Sequence, residues 1–478
     1  MNQSAHSAPS GASALLSRIA SIVGAANVLT DQADMAAHMT EPRDKYHGKS
    51  LGVVLPGDTQ EVSQVVRMAA EAGIAIVPQG GNTGLVGGQI PSEAGHELVI
   101  SLRRLNRIRA IDTSSNTMTV EAGCVLETVQ NAADDADRLF PLSLASEGSC
   151  TIGGNIASNA GGTAVLAYGN TRELVLGLEV VLADGRIWEG LRSLRKDNTG
   201  YDLKDLFIGS EGTLGIVTAA VVKLFPKPRT RSTAMVALHT LADAMWLLDI
   251  ARSTVGPALT AFEFMPRIGL DFILTHAPST RDPFGEDHPW YVLMEFSSGT
   301  EDALDDVLEQ VLAEAYEAGH VLDAIPAKSE SEAKDFWQLR MLLSEVQRQE
   351  GGSIKHDVAV PVAKVPQFVR EASDAVTELV PGCRPVPFGH LGDGNVHFNV
   401  SQPVGGDKAA FLAQWDAVSE KVHAIVLDMG GTISAEHGIG RMKREMLART
   451  KSAVEMDLMR KIKSVLDPDG ILNPGKVL

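Results

Sequence analysis

His390 and His397 sit at either end of a glycine turn in F-G-H-L-G-D-G-N-V-H-F-N (388–399), and Glu436 lies in S-A-E-H-G-I-G (434–440). Two imidazoles and one carboxylate suit a divalent cation, and three protein ligands leave a coordination position open for substrate. The ligand types do not choose among the metals. A second pattern, P-Q-G-G-N-T-G-L-V-G-G (78–88), holds Gly80, Gly81, Gly84, Gly87 and Gly88. Glycines take positive φ and let backbone N–H groups approach an anion closely, so this segment suits a nucleotide cofactor. A chain carrying both patterns reads as a metal-assisted redox enzyme.

The elements that must position these groups can be read from periodicity. The turn L-G-D-G-N lets His390 and His397 converge, and His397 and Asn399, two apart on a strand, share one face. Arg340 and Ser344, four apart in D-F-W-Q-L-R-M-L-L-S-E-V-Q-R-Q-E, share one face of a predicted helix over 331–350. Lys355 lies on the strand I-K-H-D-V-A-V-P-V, with Ile354 and His356 pointing the other way. Leu339, Met341 and Leu342 crowd Arg340, whose planar fork suits a carboxylate.

Nearer the N-terminus, strands are predicted over 51–55, 74–78, 98–102, 118–121, 175–182 and 215–225. Between the first two, Asp58 caps a helix with Glu61 three residues on; Val62, Val65, Val66, Ala69 and Ala70 form its apolar face and Gly73 ends it. A second glycine-rich segment, S-E-G-S-C-T-I-G-G-N-I-A-S-N-A-G-G, spans 146–162. Pro226-Lys227-Pro228 is a stiff break that marks a domain boundary. Beyond it, predicted helices (241–252, 301–318, 331–350) alternate with strands (258–264, 290–296, 354–360, 395–400), which suggests an α+β domain with a mainly antiparallel sheet. The tail carries a charged helix predicted over 441–466 and is expected to pack back on the first domain.

The first glycine loop reads G-x-x-G-x-x-G and runs into a strand, so a Rossmann NAD site is disfavoured. Instead P-Q-G-G-N-T-G-L-V-G-G, S-C-T-I-G-G-N, N-A-G-G, G-S-E-G-T-L-G-I-V-T and N-P-G-K resemble the FAD-binding domain of the vanillyl-alcohol oxidase/p-cresol methylhydroxylase superfamily. With G-H-L-G-D-G-N-V-H and E-H-G-I-G, the chain is similar to that superfamily's FAD-linked D-2-hydroxyacid dehydrogenase branch over nearly its whole length. The resemblance implies an α+β, two-domain fold: an N-terminal segment (1–45), an FAD-binding domain (46–226), a substrate and metal domain (227–430), and a tail (431–478) that completes the active site. It implies FAD contacts at Pro78, Gly80, Gly81, Asn82, Thr83, Gly84, Gly87 and Gly88. It adds Ser146, Gly148, Ser149, Thr151, Gly153, Gly154, Asn155, Ala160, Gly161, Gly162, Gly212, Gly215, Ile216 and Asn473. The first loop offers Asn82 and Thr83 but neither His nor Cys, so non-covalent FAD is implied.

The resemblance also assigns His390, His397 and Glu436 to a Zn2+-like ion, and Arg340, Lys355, Asn399 and His437 to substrate, with Ser344 where Thr is expected. The implied reaction is oxidation of a D-2-hydroxyacid to the 2-oxoacid, with His437 as general base. Loss of the hydroxyl proton needs help, because an alcohol is too weak an acid near neutral pH, and a divalent cation lowers its pKa. Lys355 beside Arg340 favours a dicarboxylate, D-2-hydroxyglutarate, over D-lactate or glycolate. A flavin-dependent transferase and a non-catalytic flavoprotein subunit are the rival classes.

Composition bounds the rest. At 478 residues, two domains are expected. The apolar share of 44% and charged share of 21% are those of a soluble globular chain. A net charge of −18 argues against nucleic acid and anionic membranes as partners. Cys124, Cys150 and Cys383 are far apart and odd in number, which suggests a reducing, cytoplasmic setting without disulfides or an iron–sulfur cluster. Electrons then leave through a separate acceptor, such as an electron-transfer flavoprotein or a quinone. No apolar run approaches the roughly 18 residues of a membrane span. The first twelve residues lack Lys and Arg and read as a frayed terminus, not a targeting peptide. A homodimer is the base-rate expectation.

Overall fold

The computed structural model describes residues 10–300 and 303–478. The terminus read as frayed falls outside the described residues as far as residue 9; from Ser10 the chain is a helix, Ser10–Val23. The described chain forms two compact units. The first comprises the residues up to Ala160, Asn170–Pro226 and Glu436–Leu478; the second comprises Gly161–Gly169 and Lys227–Ala435.

In the first unit, β1 (Val28–Leu29), β2 (Gly52–Val54), β3 (Ile76–Gln79) and β4 (Leu98–Ser101) form a sheet in the order β1-β2-β4-β3. β2 and β3 both run parallel to β4, with Val53 and Val77 opposite Val99 in a buried cluster. The parallel crossover from β2 to β3 needs a helix, and Thr59–Glu71 supplies it. Asp58 accepts from the Glu61 N–H at 2.9 Å, and Val62, Val65, Val66 and Ala69 are buried. Gly73, at φ 63°, turns the chain out into β3.

A second sheet follows: β5 (Ile108–Asp112), β6 (Thr117–Glu121), β8 (Val175–Val181), β9 (Ile187–Gly190) and β10 (Ile216–Lys223), antiparallel in the order β5-β6-β10-β8-β9. β7 (Arg138–Leu139) and β11 (Phe225–Pro226) form a small ribbon. The C-terminal tail joins the first sheet through a parallel bridge between Ile76 and Leu472. The single helix expected over 441–466 is two, Arg444–Thr450 and Ala453–Leu466. Ser452 and Glu455 form a reciprocal capping box, which starts a new helix and stops the first.

The second unit is built on seven antiparallel strands: β12 (Thr230–Leu238), β13 (Leu259–Pro266), β14 (Trp290–Ser298), β15 (Asp323–Pro326), β16 (Ser353–Ala359), β17 (Arg384–His390) and β18 (Asn395–Ser401). Their order is β15-β12-β14-β13-β17-β18-β16. Strict alternation divides the side chains between two faces. Phe262, Phe264, Ile354, Val358, Val396, Phe398 and Val400 face one core, packed with helices Leu241–Val255, Leu304–Glu317, Val365–Leu379 and Trp415–Asp428. The helix expected from 301 begins at Leu304, and residues 301–302 lie outside the described set. Met265, Leu293, Val386 and Phe388 face a second core under helices Arg267–His276 and Glu330–Val346. Glu263, His390, His397, Asn399, Asp357 and Lys355 have the parity of this second face.

Candidate active site

The first unit contains a cleft. Both glycine segments line it: Pro78, Gly80, Gly81, Asn82, Thr83, Gly84 and Gly88 from one, Thr151, Gly153, Gly154 and Asn155 from the other. Gly212, Gly215, Ile216 and His437 complete the wall. A side chain on Gly80 would meet Thr151 Oγ1 at 2.5 Å, and one on Gly81 would collide with the Ser149 carbonyl. The glycines are therefore required for the two loops to approach each other. Thr151 Oγ1 is buried without a hydrogen-bond partner on the cleft wall, an acceptor and donor that a polar cofactor would satisfy. Backbone walls, small residues and an orphaned hydroxyl fit an FAD dinucleotide.

The other expected cofactor residues do not line the cleft. Ser146 O accepts from the N–H groups of Ser149 and Cys150, which closes the turn through Gly148. Gly87 packs on the Tyr46 ring at φ 71°. Ala160 donates its N–H to Asn155 O, whereas Gly161 and Gly162 cluster with the second unit. Asn473 donates from Nδ2 to Gly88 O at 3.0 Å and to Glu211 O at 2.7 Å, tying tail to cleft. Cys150 is buried, off the cleft wall, and burial raises its thiol pKa.

Glu211, which the sequence reading passed over inside G-S-E-G-T, also lines the cleft. Its carboxylate accepts from the N–H groups of Ile439 at 2.7 Å and Gly440 at 2.8 Å. Burial pushes its carboxyl up to about 7 against those two bonds and the more distant Lys443 charge.

The second unit gathers charged side chains on one sheet face. Glu263, 1% exposed, lies between a guanidinium and an imidazole. Arg340 reaches its Oε2 through Nε and Nη2, each at 2.8 Å, and His390 Nδ1 is 2.7 Å from its Oε1. Burial opposes the charge on Glu263, yet His390 and Arg340 hold its carboxyl below the usual range. The Arg340 guanidinium also stacks 4.9 Å from the Phe388 ring centroid. The expected open fork of Arg340 is thus engaged along its Nε–Nη2 edge inside the protein, because a buried carboxylate on β13 needs a charged partner to offset its burial.

His390 and His397 do converge. Their rings meet edge to face with centroids 5.5 Å apart, and ligand nitrogens of the two lie within 4.8 Å. With Nδ1 of His390 at Glu263, Nε2 would be the nitrogen offered to a metal ion, an arrangement that orients metal-binding imidazoles. His397 Nδ1 lies 3.8 Å from Asp357 Oδ1, and that oxygen accepts a hydrogen bond from Asn395 Nδ2 at 3.0 Å. Glu436 follows Ala435, whose N–H donates to the Asp357 carbonyl at 3.4 Å.

Asn399 donates to Gln347 Oε1 at 2.7 Å, and Gln347 Nε2 is buried without a partner. Lys355 lies opposite Asn399 and donates from Nζ to the Ser344 carbonyl at 3.0 Å. Ser344 itself is exposed at the helix surface. Glu263 escaped the sequence reading although it left a signal: it is the one charge in the apolar strand L-T-A-F-E-F-M-P.

Residues 227–477 match the C-terminal domain of FAD-linked oxidases, and residues 50–190 match an FAD-binding domain. Among curated relatives, the mitochondrial D-2-hydroxyglutarate dehydrogenase of Arabidopsis thaliana is 38% identical over 96% of this chain and 80% of its own. The D-2-hydroxyglutarate dehydrogenase of Xanthomonas citri pv. viticola is 40% identical over 95% of both. Among solved structures, p-cresol methylhydroxylase with substrate bound superposes with a TM-score of 0.78 over 99% of this chain and 98% of its own, at 17% identity. An alkyldihydroxyacetonephosphate synthase superposes with a TM-score of 0.74 over 99% and 86%, at 18% identity. The last two likenesses concern the fold alone.

Proposed function

The chain belongs to the FAD-linked D-2-hydroxyacid dehydrogenase family of FAD-linked oxidases, and from that premise we propose that it oxidises D-2-hydroxyglutarate to 2-oxoglutarate with the help of a divalent metal. FAD, when bound in the glycine-walled cleft, supplies the two-electron acceptor. A divalent cation, when held by His390, His397 and Glu436, lowers the pKa of the substrate hydroxyl. His437, on the wall of the cleft, takes the hydroxyl proton as general base. Arg340, through the edge that does not meet Glu263, and Lys355 neutralise the two carboxylates, and Asn399 orients the substrate, fixed in turn by Gln347. The hydride leaves C2 as the proton leaves the oxygen, so the carbon ends as a ketone.

One observation carries the metal-assisted part of this reading: Glu263 holds His390 by Nδ1, which orients the ring as a ligand, beside a second imidazole. The three cysteines, all unpaired and buried, support a reducing compartment, and we assign the protein to the cytoplasm. Electrons pass on to a separate acceptor.

The test is metal analysis of the purified protein, with turnover followed through chelation and add-back of Zn2+. About one equivalent of metal and loss of turnover on chelation, restored by Zn2+, are expected. Full activity in chelated, metal-free protein would sink the metal-assisted mechanism.

A further inference from the structure

The loop that carries His437 has no regular secondary structure of its own, and one side chain in the first unit holds two of its backbone N–H groups. Glu211 reaches it from 228 residues away, and its two carboxylate oxygens cap the N–H groups of Ile439 and Gly440. The loop is shaped to admit that carboxylate. A side chain on Gly438, at φ 80°, would meet Glu211 Oε1 at 2.7 Å, and one on Gly440, at φ 51°, would collide with the Val86 carbonyl. The spacing G-I-G after His437 is thereby explained, because both glycines stand where a Cβ cannot.

Glu211 is itself held firmly. It takes the left-handed conformation, φ 52°, that non-glycine residues rarely adopt, which persists only where surroundings over-determine it. Its N–H donates to Ala157 O at 2.8 Å and its carbonyl accepts from Asn473 at 2.7 Å. All of its polar groups are therefore fixed, and it lines the same cleft as His437.

We propose that Glu211 is a positioning residue for the oxidation: by holding the N–H groups of Ile439 and Gly440 it fixes the backbone that aims the His437 imidazole. This rests on the reading of His437 as general base. The glutamate moves no proton in the reaction; its effect passes through the loop.

The rival is a staple that only holds the tail and the flavin. Glu211→Gln separates the two, since the amide keeps one acceptor but turns a donor toward a backbone donor. The holoenzyme, Glu211→Gln, His437→Ala and the double variant are compared by flavin content and by the anaerobic rate of flavin bleaching with D-2-hydroxyglutarate. Glu211→Gln is expected to slow bleaching at saturating substrate about tenfold or more per bound flavin, with half-saturation changed less than about twofold. In the His437→Ala background it should cost less than about a further twofold, because residues acting as one unit are not additive.

Multiplying losses, or a loss that follows flavin content alone, overturn the positioning role while leaving His437 as base intact. A His437→Ala variant with the wild-type rate overturns both. Should Glu211→Gln fail to fold, Glu211→Asp keeps both acceptors but withdraws them by one methylene. It is expected to show an intermediate loss with the same non-additivity, and additivity there would likewise overturn the proposal.

Discussion

Glu211 is half-buried and Glu263 fully buried, one in each unit, and their carboxyls are displaced in opposite directions. Glu211 faces backbone N–H groups, and burial pushes it up to about 7. Glu263 is buried more deeply, yet Arg340 and His390 flank it and hold it low. Burial therefore sets no direction by itself; the charge of the partner decides. The contrast extends to the two centres. The cleft of the first unit is walled by backbone and glycine, which suits a large cofactor held through many weak contacts. The sheet face of the second unit presents paired side chains, which suits a cation and a small anionic substrate.

Glu263→Gln tests the contrast hardest. It leaves the buried Arg340 charge without its carboxylate, and loss of one partner from a buried pair costs about 3–5 kcal/mol. Denaturant unfolding should show a loss of that size; one below about 1 kcal/mol would mean that Glu263 is not the charge that holds the face together.

Next comes the pH dependence of Glu211. Its folded pKa, about 7, lies above the ordinary 4.5, so the native state binds the proton more tightly than the unfolded chain. Stability from this group is intact below pH 4.5, falls as pH rises toward 7, and stays low above it, by about 3 kcal/mol in all. Denaturation midpoints compared across this range should fall more steeply in the wild type than in Glu211→Gln. Parallel slopes would show that the carboxyl is not raised.

The smallest effect is expected at Lys355, where a charge-assisted bond of about 1.5–3 kcal/mol corresponds to roughly 10- to 150-fold in kcat/KM. Lys355→Ala should lose that factor on D-2-hydroxyglutarate and little on D-lactate. Equal losses would remove the reason for a dicarboxylate substrate.

Much of this was legible in the chain. Asp58 and Glu61 announced a capped helix, and the alternation around Lys355 placed Ile354 and His356 on the opposite face, where Ile354 joins the helical core. The turn between His390 and His397 announced their convergence. The tail helix was misjudged because Ser452 and Glu455 interrupt a charged run that otherwise keeps helical composition. Arg340 was seen as a cation for substrate, but its buried carboxylate partner was not. Glu211 was hidden among glycines whose own meaning was clearer.

What the sequence determined by itself is what depends on near neighbours: caps, strand faces, glycine loops, and the residue types a metal or a flavin requires. What only the tertiary structure decided is which charges meet. Glu263 finds Arg340 77 residues away and His390 127 away, and Glu211 finds the loop after His437 228 residues on. Contacts at such separations leave no period in the chain. The energy of a buried carboxylate depends on what packs around it, so its ionisation and its role appear only when the fold is complete.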